Sequence, residues 1–243
     1  MNVLVTRPLT QSKSLISMIR DSGHNALLFP SLRIEKLQLD IDTNKYDSII
    51  FISINAVTYS MGQIKLSSSN SCNVFAVGRA TADKLEECGI RVDCFPKKSA
   101  SSEELLSMPM VSSMQNKKIL IVRGRGGRET LKIGLSKKHN DVDYAEVYER
   151  VECELNDTHR DSLTSLLKNS DSVITITSIE SLQSMLSIAN KIDSDCLKNI
   201  KSLPLVVLSD RILRFAKSVG FLHLYVAPET NNKGLVAVIN QLK

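Results

Sequence analysis

Short apolar runs of four to seven residues alternate along the chain with stretches whose apolar positions recur every three or four residues. The runs read as strands and the periodic stretches as helices, so their alternation indicates βα units built on parallel sheets. The predicted strands are 2–6, 26–30, 47–53, 73–78, 92–95, 118–123, 141–147, 172–177, 204–208 and 223–227. Several are apolar on both faces, as strands covered by helices on either side would be. Helices are predicted over 10–22, 127–137, 157–168, 179–189, 210–219 and 233–242. Another opens at Ser101, which with Glu104 reads as a capping box ahead of Leu105 and Leu106. Gly23, Gly89 and Gly220 each follow a helical pattern, where a left-handed residue would end it.

The pattern occurs twice. VLVTRP at 3–8 answers to ILIVRG at 119–124, DSIIFIS at 47–53 to DSVITITS at 171–178, and VFAVGR at 74–79 to LVVLSD at 205–210. The offsets are 116, 124 and 131 residues and drift only as loop insertions would make them. A duplicated α/β unit implies two similar lobes, and the space between two lobes is a natural place for a ligand. Two further stretches, PSLRIEKL at 30–37 and EVYERVECE at 146–154, alternate apolar and charged residues at equivalent places in the copies. If they pair as a two-stranded linker, the second lobe is inserted into the first. Lobe 1 is then 1–33 with 155–243, lobe 2 is 38–147, and the linker strands are 34–37 and 148–154. The simpler alternative is two contiguous lobes cut near residue 115.

Charge and cysteine usage narrow the function classes. The net charge is +5, from 31 basic and 26 acidic residues, and eight Lys or Arg with one acid, Glu129, fall between Lys117 and Lys138. Such a segment is either a solvated basic face or a surface that attracts a small polyanion. It carries no aromatic residue and the chain has no Trp, which disfavours nucleic acid. Five cysteines, an odd number without a CxxC pair, argue against a disulfide framework and a zinc site and for a reducing compartment. With no secretory signal pattern and no apolar run of about 18 residues, a cytosolic protein without a membrane span is expected.

Ligands of parallel α/β sheets bind at the carboxyl ends of strands, beside helix N-termini. The residues there are Arg7, Ser53, Gly78 with Arg79, Arg123 with Gly124, Thr177 with Ser178, and Ser209. Helix capping alone explains any one of these turns. Six of them, ending matched strands, point to an anion held at several points. The segment Gly124-Arg125-Gly126-Gly127-Arg128 is neither GxGxxG nor a P-loop, so no nucleotide site is read. Its glycines let backbone approach an anion, with Arg123, Arg125 and Arg128 nearby. The four histidines lie in polar or terminal settings, and neither HExxH nor GxSxG occurs. An enzyme of this composition would act by orientation more than by acid, base or metal.

Together these residues resemble uroporphyrinogen-III synthase over essentially the whole chain. The resemblance rests on VLVTRP at 3–8, Ser53-x-Asn55-Ala56-Val57, VGRATA at 77–82, VRGxGGRExL at 122–131, Val147-Tyr148-x-Arg150, Thr177-Ser178, and Leu208-Ser209-Asp210-Arg211. It implies two α/β lobes of parallel sheets flanked by helices, a two-stranded linker and the inserted second lobe. It implies a lyase that cyclises hydroxymethylbilane, a linear tetrapyrrole with acetate and propionate side chains, in heme biosynthesis. The product, uroporphyrinogen III, has its last ring inverted, and water is lost. It further implies a monomer that uses no metal or organic cofactor.

The resemblance assigns Tyr148 to assist departure of the substrate hydroxyl, a task for which a phenol O–H is a suitable donor. It assigns Thr81 to substrate binding; Asn55, Ala56, Gly126 and Arg128, which lie in the motifs that carry it, and the strand-end residues above complete the expected binding set. Many relatives have a threonine after the turn equivalent to Ser209; this chain has Asp210, Arg211 and Ile212, so those contacts fall to Ser209 and Arg211. Ile52 likewise stands where relatives often have Thr, leaving Ser53 as the hydroxyl of its turn. The alternative function is a non-catalytic two-lobe module that binds or senses a small anion.

Overall fold

The protein is described by a computed structural model over residues 1–64, 72–97 and 99–242. It divides into two compact units, Met1–Arg33 with Val151–Lys243, and Ile34–Arg150. A single cut near residue 115 falls inside the second of these.

The first unit holds β1 (Asn2–Val5), β2 (Asn25–Leu28), β8 (Ser172–Ile176), β9 (Pro204–Val207) and β10 (His223–Val226), in the order β10-β9-β8-β1-β2. All four pairings are parallel. Alternate side chains face opposite layers, as the pleat requires. Leu4, Ile174, Ile176, Leu205 and Val207 pack under α7 (Asp157–Lys168), α8 (Ile179–Ile192), α9 (Cys196–Ser202) and α10 (Asp210–Ser218). Val3, Val5, Val173 and Val206 pack under α1 (Leu9–Asp21) and α11 (Asn232–Gln241).

The second unit's sheet comprises β3 (Leu32–Lys36), β4 (Ser48–Phe51), β5 (Asn73–Ala76), β6 (Lys118–Gly124) and β7 (Asp141–Glu152), in the order β3-β7-β6-β4-β5. Its β4–β5, β4–β6 and β6–β7 pairs are parallel. Ile49, Phe51, Leu120 and Val122 lie under α2 (Ile54–Ser60) and α3 (Arg79–Glu87). Ile50, Phe75, Ile119 and Ile121 lie under α4 (Ser102–Ser107), α5 (Pro109–Ser112) and α6 (Thr130–Ser136). Each such apolar side chain contributes about 1.5–3 kcal/mol on burial. The chain passes between the units within β3 and within β7. Ser31 O accepts from Cys153 N, and Leu37 N donates to Val147 O, both at 3.0 Å. One strand rises as the other falls, so this pair is antiparallel.

The duplication lies in the sheets in a crossed form. β1 and β6 are matched runs, as are β8 and β4, and β9 and β5. The orders β9-β8-β1-β2 and β5-β4-β6-β7 therefore coincide strand for strand. Cys94 extends the match, because its single parallel bridge to Phe75 lies where β10 lies in the other sheet. Each unit thus combines the first two strands of one copy with the later strands of the other.

Some elements differ from the sequence pattern. Residues 92–95 form one bridge and no strand. The helix expected over 127–137 starts only at Thr130, because Gly126 and Gly127 take φ of 76° and 97°, outside helical backbone. The strand at 141–147 and the linker that follows are one element, β7. Gly23, Gly89 and Gly220 have φ of 79°, 77° and 95° and end their helices as expected. The pattern marks α3 only at its end, by Gly89, and does not mark α2, α5 and α9, which are short and partly built on small or polar residues.

Candidate active site

In each sheet the strand order reverses once, between β1 and β8 in the first unit and between β6 and β4 in the second. Connections leave such a point in opposite directions and open a crevice at the carboxyl ends of the strands.

In the second unit this point is built around Tyr148. The β6–β7 register pairs Arg123 with Glu146 but Gly124 with Tyr148, so one extra residue, Val147, is accommodated on β7. A bulge of this kind re-aims the side chain that follows it. It lays the Tyr148 ring on Gly124, where an added Cβ would stand 2.5 Å from ring carbons Cε2 and Cζ. The ring is buried, with Tyr59 stacked at a tilt and centroids 5.6 Å apart. Tyr148 Oη lies 3.4 Å from Ser53 Oγ. Ser53 caps α2, its Oγ accepting from Ala56 N at 3.0 Å. The serine proton is then free to point at the phenol oxygen, leaving the phenol proton for a ligand. Asn55, half-buried, sits beside the cap, and Ala56 is buried and supplies the capped amide.

Gly78 begins α3 and is buried against Ala100, which an added Cβ would meet at 2.4 Å. Arg79 is exposed, lies over the Phe95 ring at 4.7 Å and is 3.9 Å from Asp83. Thr81 is buried in the first turn of the same helix.

Arg123 has a different setting from the outward anion-binding cation expected of it. Its side chain is only 3% exposed and donates from Nη1 to Glu129 Oε1 at 3.2 Å. It also donates from Nε to Gly124 O at 3.1 Å and from Nη2 to Gly126 O. The guanidinium carbon sits 4.4 Å from the centre of the Tyr144 ring, and Tyr144 Oη donates to Glu129 Oε2 at 2.6 Å. Arg123 therefore clamps the 124–129 loop from within, its charge already met. The Tyr144 hydrogen bond, helped by Arg123, holds the Glu129 carboxyl below its usual value despite some burial. Burial and the same bond push the Tyr144 phenol up to about 12.

Three further cations of the basic segment have acid partners. Arg125 pairs with Glu149 at 2.8 Å and Glu146 at 3.5 Å, Arg128 lies 3.9 Å from Glu103, and Lys117 pairs with Asp47 at 3.4 Å. Acids from elsewhere in the chain thus meet part of the segment's charge, while Lys118, Lys132, Lys137 and Lys138 form no ion pair among the described residues. Gly126 is exposed on the loop.

The first unit repeats the capped turn. Ser178 Oγ accepts from Ser181 N at 3.0 Å and begins α8, as Ser53 begins α2. Thr177 and Ser178 are half-buried. Beneath them the hydroxyls of Thr6, Ser31 and Ser181 form a buried network, with Ser181 Oγ 3.1 Å from Thr6 Oγ1 and 2.8 Å from Ser31 Oγ. Ser209 stands at the start of α10 without using its side chain as a cap, and Arg211 is exposed two residues further on. Arg7 is half-buried at the end of β1 and donates to Asn232 Oδ1 at 3.0 Å.

The described residues therefore form two clusters, one per unit. Tyr148, Gly124, Ser53, Asn55 and Ala56 lie around one turn-and-bulge, and Thr177 and Ser178 at its counterpart. The family model for uroporphyrinogen-III synthase HemD matches residues 13–237. The chain belongs to the uroporphyrinogen-III synthase family. It is 26% identical to the uroporphyrinogen-III synthase of Escherichia coli over 249 residues, covering 98% of this chain and 100% of that one. Against that of Salmonella typhimurium it is 26% identical over 252 residues, with the same coverage. Its fold matches the solved enzyme of Helicobacter pylori with a TM-score of 0.69 at 15% identity, covering 100% of this chain and 99% of that one. A mutant enzyme from Thermus thermophilus matches with a TM-score of 0.60 at 13% identity, covering 100% and 98%.

Two features of this family member escaped the sequence. His159 is fully buried, not in the polar setting expected, because its Nδ1 accepts from Asn156 N in a capping box. Its Nε2 is then the protonated nitrogen and donates to Pro30 O at 3.0 Å. Asn232 holds Arg7, and the only signal for it was an Asn-Asn pair ahead of a helix. Among the described residues no cluster of three or more His, Cys, Asp or Glu is placed to hold a metal ion. Nor is any described helix long and apolar enough to cross a membrane.

Proposed function

We propose that this chain is a uroporphyrinogen-III synthase, a hydro-lyase that closes hydroxymethylbilane with inversion of its last pyrrole ring. What supports this most is Tyr148, pinned over Gly124 with its hydroxyl toward the Ser53-capped turn.

The reaction begins with loss of the substrate hydroxyl. The C–O bond breaks, the oxygen leaves as water with a proton, and the pyrrole nitrogen gives up its own proton to leave an azafulvene. The far ring attacks the exposed methylene through its substituted carbon and forms a spiro intermediate. That intermediate opens by breaking the bond between the spiro carbon and its original methylene bridge, which leaves a second azafulvene there; the ring recloses on that methylene through its other α-carbon, which loses its proton as the pyrrole N–H is restored. Tyr148 donates the hydrogen bond that assists the leaving oxygen. Ser53, Asn55, Ala56, Gly78, Arg79, Thr81, Gly124, Gly126, Arg128, Thr177, Ser178, Ser209, Arg211 and Arg7 bind the carboxylates and backbone of the substrate; Arg123 acts by shaping the loop. The bilane closes without help to the un-inverted isomer, so the enzyme's task is selection of a folded substrate geometry, which is catalysis by orientation. We place the protein in the cytoplasm as a monomer.

The test is to supply freshly made hydroxymethylbilane and measure type III against type I uroporphyrin after oxidation. Mostly type III is expected. The spontaneous type I product, from folded protein, would overturn the reading in favour of a non-catalytic anion-binding module.

A further inference from the structure

Beside Arg7 the first unit contains a cavity of about 530 Å³, lined also by Ser14, Glu229, Asn231, Asn232 and Lys233. Its volume is in the range of small-molecule sites and admits an acid side chain with the ring that bears it. The Arg7 guanidinium is half-buried, and burial lowers its pKa from the usual value. Its side-chain partner is a neutral amide, Asn232 Oδ1, whose own amide nitrogen reaches Ser14 Oγ at 3.4 Å. Among the described residues it has no carboxylate partner. Lys233 is the second residue of α11, whose first turn carries no acid. A cation there faces the positive end of the helix dipole. Glu229 is the single carboxylate in the lining, and it is engaged by Asn231 Nδ2 at 2.8 Å. The wall thus sets two cations against one acid, and the more buried cation forms no ion pair among the described residues. A desolvated charge left in this way is unfavourable until an anion meets it.

We propose that this cavity is a carboxylate subsite, in which Arg7 and Lys233 take one acid side chain of the tetrapyrrole and Asn232 holds the guanidinium in position. The proposal rests on the synthase reading above. It adds Asn232 and Lys233, which neither the motifs nor the duplicated turns pick out.

Three variants are compared with wild type on freshly made hydroxymethylbilane, with urea unfolding run in parallel. Arg7→Gln removes the buried charge and should raise KM about tenfold, with kcat within about twofold. Lys233→Gln, at an exposed position, should raise KM about threefold and weaken its dependence on salt. Asn232→Asp supplies an internal carboxylate. It should raise KM about tenfold while increasing the urea midpoint, since it neutralises Arg7 and suits the first turn of a helix. A merely structural role for Asn232 would not couple greater stability to weaker binding. Type III product from wild type with KM within about twofold in all three variants would overturn the subsite and leave the synthase reading intact. No type III product from wild type would overturn both.

Discussion

Gly124 and Tyr148 occupy one another's space: a Cβ on Gly124 would stand 2.5 Å from the Tyr148 ring and 3.0 Å from its hydroxyl oxygen. The ring sits where it does because residue 124 has no side chain and because the β7 bulge turns residue 148 onto it. Gly124→Ala should therefore push the ring by about 1 Å. Such a displacement is expected to lower kcat about a hundredfold, with about 1–3 kcal/mol lost in urea unfolding from overpacking. The check is a double-mutant cycle. In a Tyr148→Ala background the alanine at 124 should add almost nothing to either measurement, and additive effects would show that the two residues act separately.

Tyr148→Phe keeps the ring, its packing on Gly124 and its contact with Tyr59, and removes only the hydroxyl. If the phenol assists departure of the leaving oxygen, kcat should fall about a hundredfold. The thermal midpoint should stay close to wild type, since the lost bond to Ser53 is long at 3.4 Å. Product should remain mainly type III, because substrate orientation is untouched. A wild-type kcat in this variant would leave Tyr148 as a packing residue alone.

Arg123 should behave as a stability residue. Its guanidinium satisfies two loop carbonyls and Glu129 while only 3% exposed. Arg123→Gln leaves those carbonyls short of donors and should cost about 2–4 kcal/mol in urea unfolding. Arg123→Lys should recover little of this, since an ammonium lacks the planar fork that reaches three acceptors. The salt dependence of KM should match wild type in both. A flattened salt dependence would instead mean that Arg123 meets the substrate's charge directly.

Much of the fold was legible because strand periodicity and repetition are local signals. The apolar runs of β1, β4, β6 and β8, and the glycines that end helices, report their own conformations. α3 was legible only at its end, where Gly89 closes it, because Gly78, which begins it, and the small residues Ala80, Thr81 and Ala82 do not mark a start. At the strand-end turns the serine caps of Ser53 and Ser178 were legible, since they follow from residue type and position. What Arg123 does was not, because it depends on Glu129 and Tyr144 being brought to it by loop and sheet. The placement of Tyr148 over Gly124 depends on a single register shift, and no residue pattern announces a bulge. His159 looked solvated among polar neighbours, yet its ring is consumed by a cap and by the carbonyl of Pro30.

The Tyr144–Glu129 hydrogen bond should set both pH limbs of the loop's stability. Glu129 has its pKa lowered from the ordinary 4.5, chiefly by that bond. Its contribution is therefore present above about pH 4.5 and lost as pH falls through the lower folded value. Tyr144 is raised from 10.0 to about 12, first by burial and then by the same bond. Its contribution is present below pH 10 and lost as pH rises toward 12. Tyr144→Phe removes the shared bond at once. The urea midpoint of wild type minus that of the variant should be flat between about pH 5 and 9.5 and shrink on both sides, other titrating groups cancelling in the difference. Glu129→Gln should abolish the acid limb and reduce the alkaline one, because burial of the phenol persists without the carboxylate. A difference that stays constant from pH 3 to 12 would mean that the bond contributes nothing to the folded loop.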